Sequence, residues 1–199
     1  VVISYKVTDN AGKESTATGT ATIPFTALMI SGKVFRDVNG LTDNMINGSA
    51  ISSVSTQQLK AYLTKTTGGA IVDSAHVASN GTFNFDNASG NTSYTVIVTT
   101  TNAAIGSINP SATLPTDWVY TGEFLGSGTG NDGNANGALT VVVATSNVSN
   151  ANFGMEDRPT AGISTATPQV NPGDTLNVTV PAATFVSSDV TPGTVTSIK

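Results

Sequence analysis

The sequence predicts an all-β protein folded as a β-sandwich. Three observations carry that expectation. Apolar and polar residues alternate with a period of two over short runs, the pattern of half-buried strands. Clusters of Gly, Asn, Asp and Pro separate the runs, as turns do in two-sheet folds. No stretch of useful length repeats its apolar residues at the helical period of about 3.6.

Composition narrows the function classes. Only 11% of the 199 residues are charged, and Gly, Ser, Thr and Asn are abundant, whereas about a quarter charged is usual. Hydroxyls and amides thus keep the surface soluble, as in many extracellular β-proteins. A net charge of −5 lacks the basic footprint of a nucleic-acid binder. The absence of cysteine excludes disulfides, zinc–thiolate sites and thiol nucleophiles. No apolar run approaches the roughly 18 residues of a membrane span, and no basic-then-apolar segment marks a secretion signal. Val1-Val2-Ile3 already lies in a strand pattern, so the chain reads as an excerpt of a longer, exported polypeptide.

In residues 1–28, Val1 to Val7 is a strand with Ile3, Tyr5 and Val7 on one face. Asp9-Asn10-Ala11-Gly12 is a turn, and Ser15 to Ile23 is a second strand, ended by Pro24. Two strands alone are marginal, so this hairpin is expected to need neighbouring strands.

Residues 29–158 read as one complete sandwich. Ile30 to Phe35 opens it, with Gly32 as a bulge or close-approach point. After the looser stretch 44–56, Gln58 to Thr64 turns Leu59, Ala61 and Leu63 inward. Thr67-Gly68-Gly69 leads into the strand Ala70 to Val77, and Asn80-Gly81 is a strong turn signal. Thr82-Phe83-Asn84-Phe85 places both phenylalanines on one face. Ser93 to Thr99 is the most β-branched strand, followed by an irregular link through Pro110 and Pro115 to Asp117–Tyr120. Gly126 to Gly137 is a loop, Leu139 to Ala144 a strand expected to be fully buried from its apolar run, and Ala151 to Asp157 the last strand. Residues 159–199 begin with a proline-bearing linker and a turn at Pro172-Gly173. Strands are expected at Thr175 to Val180, Thr184 to Val186 and Thr194 to Ile198.

A family resemblance rests on motifs spread over this middle segment. Ile-Ser-Gly-Lys-Val-Phe-Arg-Asp-Val-Asn-Gly-Leu-Thr-Asp, Leu-Lys-Ala-Tyr-Leu, Gly-Thr-Phe-Asn-Phe, Ser-Tyr-Thr-Val-Ile-Val, Leu-Pro-Thr-Asp-Trp-Val-Tyr-Thr-Gly-Glu and Asn-Phe-Gly-Met-Glu resemble, in order, an SdrD B-like domain. That domain is a prealbumin-like, Cna-B-related repeat of very large bacterial surface adhesins. Residues 1–28 resemble the C-terminal part of an immunoglobulin-like repeat, and 159–199 the N-terminal part of the next. The resemblance implies a non-enzymatic stalk or filament segment on the bacterial cell surface, serving adhesion or gliding. Mixed arrays of this kind are typical of Bacteroidetes adhesins exported by the type 9 system. Implied partners are neighbouring repeats, other surface or secretion-system proteins and surface glycans, without membrane insertion. The competing reading is a carbohydrate-binding or accessory module of a secreted multidomain enzyme.

Candidate chemistry is sparse. His76, the single histidine, sits in a strand pattern without a second imidazole, as an edge or surface residue would. No nucleophile elbow, phosphate loop or placeable carboxylate pair is present. Trp118, Tyr120 and Phe124 offer faces for stacking on sugar rings, but large aromatics more often fill sandwich cores. Calcium is the one cofactor suggested. Asp37, Asn39, the Leu41 carbonyl and Asp43 form one partial oxygen set, and Asp132, Asn134 and Asn136, with Gly137 at the turn, form another. The acidic residue that would close the second set falls at Val143, inside a strand, and Asn, Asp and Gly are also what plain turns select.

Cna-B relatives can carry a Lys–Asn isopeptide bond between first and last strands. Lys33 and Asn152 stand in those strands here, but parity turns Asn152 outward while Ala151, Phe153 and Met155 face the core, so no cross-link is expected. Asp73-Ser74-Ala75 and Asp174-Thr175-Leu176 match the Asp–Ser/Thr–apolar tripeptide that Bacteroidetes O-glycosylate, which makes Ser74 and Thr175 candidate glycosylation sites.

Overall fold

The computed structural model describes all residues except 66–68, 109, 127, 129, 167, 169–172, 174–179, 190–192 and 199. Strand β1 (Val2–Tyr5) pairs antiparallel with β2 (Gly19–Thr22). The loop between them tightens where Asp9 Oδ1 accepts the N–H groups of Ala11 and Lys13 and Gly12 takes a φ of +80°. Both strands are shorter than the alternation over 1–7 and 15–23 suggests. Among the described residues no sheet covers either face of this ribbon, so Ile3, Tyr5 and Val7 stay exposed, and beyond the strand ends the pairing continues only through main-chain bonds such as those Val1 and Ile23 exchange.

The middle segment contains β3 (Leu28–Arg36), β4 (Ser49–Ala50), β5 (Ser53–Val54), β6 (Gln57–Gln58), β7 (Lys60–Lys65), β8 (Ile71–His76), β9 (Thr82–Ala88), β10 (Thr92–Thr99), β11 (Trp118–Leu125), β12 (Gly130–Asn131), β13 (Ala138–Val143) and β14 (Ala151–Asp157). One sheet runs β13-β10-β7-β8. The other runs β12-β11-β14-β3-β4, with β9 on the N-terminal half of β3, and β5 and β6 form a small hairpin. Inward residues of the two sheets meet in one core, among them Ile30, Val34, Leu63, Phe83, Phe85, Val96, Val98, Val141, Phe153 and Met155. The all-β sandwich expected from period-two alternation is therefore the fold observed, because that period puts one side of every long strand out of water.

Gly32 is a close-approach point. A Cβ there would lie 1.9 Å from the Ala151 carbonyl oxygen and 2.6 Å from the Phe83 ring. Its hydrogen lets β14 settle beside β3 in parallel, with Phe153 opposite Val34 and Met155 opposite Arg36. Asn80-Gly81 turns as expected, with Gly81 at φ +80°.

Three expectations need correction. The apolar run Leu139 to Ala144 is not fully buried. As an edge strand, β13 has only one face on the core, so Leu139, Val141 and Val143 are inside while Val142 is 65% exposed. The run around β7 is buried on both faces instead of alternating: Tyr62 and Thr64 are covered along with Ala61 and Leu63. The cause is the irregular link after β10, which crosses the outer face. Thr99 Oγ1 donates to the carbonyls of Ser111 and Thr113, Tyr62 Oη donates to Thr101 O, and Ile71 N–H donates to Ser107 O. Finally, Ala182–Thr184 is a 3₁₀ turn and the strand there is β16 (Ser187–Ser188), paired with β15 (Thr160–Ala161). Residues 194–198 form no strand. The expected turn at Pro172-Gly173 and strand at Thr175 to Val180 lie largely outside the described residues, as do Thr67 and Gly68. Among the described residues, no helix is long and apolar enough to cross a membrane.

Candidate functional site

At the end of β3 the chain turns at Asp37, whose N–H donates to Met155 O at 2.9 Å and whose carbonyl accepts the Gly40 N–H at 3.1 Å. These bonds hold the backbone against β14 and drive the side chain into the protein. The carboxylate is buried. Oδ2 accepts from Thr121 Oγ1 at 3.0 Å, and Oδ1 is enclosed without a hydrogen-bond partner. Gly154 makes the space, since a Cβ there would lie 2.3 Å from Thr121 Oγ1 and 2.8 Å from Asp37 Oδ2. Desolvation pushes the Asp37 carboxyl up from 3.8 to about 6. The Thr121 hydroxyl and Asn47 backbone offset part of this, and the negative charge of Asp43 adds to it.

The remainder of the first oxygen set lies on the following 3₁₀ turn, Gly40–Asp43. Asn39 O accepts from Thr42, and Leu41 O accepts the Asn44 N–H, with Asn44 in the left-handed region. Asp43 is exposed. Its oxygens take the Asn47 amide at 2.6 Å and the Met45 N–H at 3.0 Å, and these bonds, the Asn47 one first, hold its carboxyl below the usual range. The Leu41 side chain covers Gly122 on β11, where a Cβ would be 2.5 Å from Leu41 Cδ1. The fold thus brings Asp37, Asn39, Leu41 and Asp43 onto one loop and leaves a single buried carboxylate oxygen unsatisfied. Among the described residues, no three His, Cys, Asp or Glu side chains gather to hold a metal. A cation here would therefore need amide and carbonyl oxygens alongside Asp37 and Asp43.

The second set is built differently. Asp132 Oδ1 accepts the Asn134 N–H, Asn136 Oδ1 accepts the Ala138 N–H, and the preceding Asn131 Oδ1 accepts the Gly133 N–H. Each is an Asx turn two residues long, and Asp132, Asn134 and Asn136 are all exposed. The acidic group under this loop is Glu123 on β11. It is buried, with Oε1 accepting the Gly137 N–H at 2.5 Å and Oε2 the Asn136 N–H at 3.4 Å. Burial raises its carboxyl from 4.5 to about 7, offset in part by those two N–H groups and reinforced by the charge of Asp132. In the sequence Glu123 looks like a solvent-facing residue of an alternating strand. The register break between Tyr120 and Gly122 turns it inward, and the Gly122 that accompanies the break is the only sequence signal for it.

Of the three aromatic residues on β11, two pack on the core. Trp118 and Tyr120 are half-buried against the core cluster. The Arg36 guanidinium, itself paired with Asp157, lies 5.6 Å from the Trp118 ring centre. Tyr120 donates to Val98 O at 2.7 Å, and its ring underlies Gly137 so closely that a Cβ there would be 2.4 Å from Cζ. Phe124 is half-buried beside Gly130. Lys33 and Asn152 are neighbours: Asn152 Oδ1 accepts the Lys33 backbone N–H at 3.2 Å, while Lys33 Nζ lies 5.2 Å from the Phe35 ring centre. Ala151, Phe153 and Met155 are buried, as parity requires. Ser74 and His76 are exposed on β8, whereas Thr175 lies outside the described residues. In comparisons with known proteins, the chain matches no protein-family model and no curated protein.

Proposed function

We propose that this chain is a stalk or filament segment of a large bacterial cell-surface adhesin, with residues 29–158 an SdrD B-like domain between parts of immunoglobulin-like repeats. It is not an enzyme in this reading. It holds a distal binding region away from the cell, for adhesion or gliding, after export by a type 9 system. Its partners are neighbouring repeats and, beyond them, surface proteins and glycans.

The observation that supports this reading most is the parallel pairing of the first and last long strands of the domain. β3 and β14 lie side by side, and main-chain bonds from Ser31 to Val148 O and from Val148 to Met29 O extend the contact. The side chains of Asn147 and Asn152 add bonds to the N–H groups of Met29 and Lys33. In a tandem array, tension enters at the start of β3 and leaves at the end of β14. Because the strands are parallel, that load shears the whole row of bonds at once instead of opening them one by one. The flanking strands add a second support. Val2, Ile3, Phe25 and Ile163 are exposed apolar residues that further strands would cover.

Weak calcium binding at the 37–43 loop belongs to the same reading. Asp37, Asn39, the Leu41 carbonyl and Asp43 would hold the ion, which would supply the missing partner of Asp37 Oδ1 and stiffen the turn leaving β3. Ser74 is accessible for O-glycosylation.

Single-molecule pulling tests the load-bearing role. Attachment at residues 28 and 158 is expected to give one unfolding step at clearly higher force than attachment at 28 and 89, which unzips the Leu28–Ala88 end of the antiparallel β3–β9 pair. Equal or lower end-to-end force removes the stalk argument. Saturable glycan binding abolished by Trp118→Ala, with melting unchanged, establishes the accessory-module reading instead.

A further inference from the structure

We propose that the free edge of β13 is a pairing surface that takes β13 of a second copy of this chain, antiparallel. Sheet edges expose unpaired N–H and C=O groups, and proteins protect them with charge, register breaks, shortness or a covering segment. The other edges of this sandwich carry such devices. β8 bears Asp73, breaks register against β7 between Leu63 and Thr64, and is capped where Ile71 exchanges bonds with Gly106 and Ser107. β9 carries Asn84, Asp86 and Asn87. β4 and β12 have two residues each, and β11 breaks register at Gly122.

Among the described residues, β13 shows none of these. Ala138-Leu139-Thr140-Val141-Val142-Val143 contains no charge and no proline, and it runs in unbroken register against β10. The Val98 N–H donates to Gly137 O, which makes the odd-numbered residues of β13 the ones that bond to β10. The main-chain groups of Thr140 and Val142 therefore point to the open side, and both side chains are exposed.

The composition of the edge favours its own kind. Antiparallel pairing centred on Val141 sets Thr140 of each copy opposite Val142 of the other. The exchange forms about four main-chain hydrogen bonds and two β-branched cross-strand pairs. It brings no charged residue against another, which matters in a chain of net charge −5. One patch meeting itself across a two-fold axis closes after two copies.

The test is sedimentation velocity of the whole chain over a concentration series, with amide hydrogen exchange read at Thr140 and Val142. The expected result is a monomer–dimer equilibrium and protection of those two amides that rises with concentration. Val142→Lys, at an exposed position, should keep its melting temperature and weaken dimerisation at least ten-fold. Val72→Lys, the matching change on the β8 edge, should leave it unaltered. A monomer at every concentration overturns the proposal. So does a dimer that survives Val142→Lys or leaves the Thr140 and Val142 amides unprotected, since association then runs through another surface such as the exposed 1–25 hairpin.

Discussion

The loops at 37–43 and 132–137 look alike in sequence, each setting Asp and Asn at alternate positions beside a glycine, yet they hold their acids in opposite ways. In the first, the carboxylate at the strand end is folded inward onto Thr121 and loses one partner. In the second, exposed side chains cap their own backbone, and the buried acid beneath them comes from another strand. A local pattern of oxygens therefore describes a turn. Whether the turn contains a charge under tension depends on what the neighbouring strand places beneath it.

The largest separation between the loops should come from two glycine substitutions. Gly154→Ala drives a methyl group into Thr121 and Asp37 and is expected to destabilise by about 3 kcal/mol, in the range of core overpacking. Gly133→Ala has open space around it and only a φ of +81° to resist, so about 1 kcal/mol is expected. Urea unfolding of both variants measures the difference, and equal losses would erase the distinction between the loops.

Next in size is a pH effect without added cation. Asp37 and Glu123 have folded values near 6 and 7 against ordinary values of 3.8 and 4.5. The folded chain therefore binds protons more tightly than the unfolded one, so this stability is fully present below about pH 4 and is lost as pH rises through 6 and 7. A loss on the order of 2 kcal/mol per carboxylate is expected between pH 4 and 8. Asp37→Asn and Glu123→Gln should each flatten the decline in unfolding midpoint, and Asp132→Ala, which removes only the smallest contribution to the Glu123 shift, should flatten it far less. An unchanged slope in both buried-site variants would exclude them as its source.

Calcium should act in the first loop by a smaller amount. With a weak extracellular-type site and an ion concentration of about 10 times the dissociation constant, linkage gives roughly 1.4 kcal/mol. The melting temperature of the wild-type chain should rise in 10-fold excess calcium over chelator by a few degrees. Asp37→Asn should abolish that rise, while Asp132→Ala should keep it. Coincident curves for the wild type with calcium and with chelator would leave the first loop a plain turn.

Smallest of all is the direct effect of Asp132→Ala on stability. One exposed Asx-turn bond is lost, and a change within about 0.5 kcal/mol is expected. A loss several times larger would mean that the second loop carries more than its own turn.

The long strands were legible because burial on one face writes itself into the chain every second residue. Phe83 and Phe85, Leu59 and Leu63, and Ala151, Phe153 and Met155 all lie as their alternation says. Gly32 could be read as a close-approach point because a glycine inside a strand has few other uses. Tertiary structure alone decided the rest. It made β13 an edge and so exposed Val142, and it laid the link after β10 over Tyr62. It also turned Glu123 inward at a register break and gave Asp37 a pocket from a glycine more than a hundred residues away. Alternation is a local property that each strand carries in its own residues. Edge position, covering segments and buried charges depend on which distant strands become neighbours, and no single stretch of sequence contains that pairing.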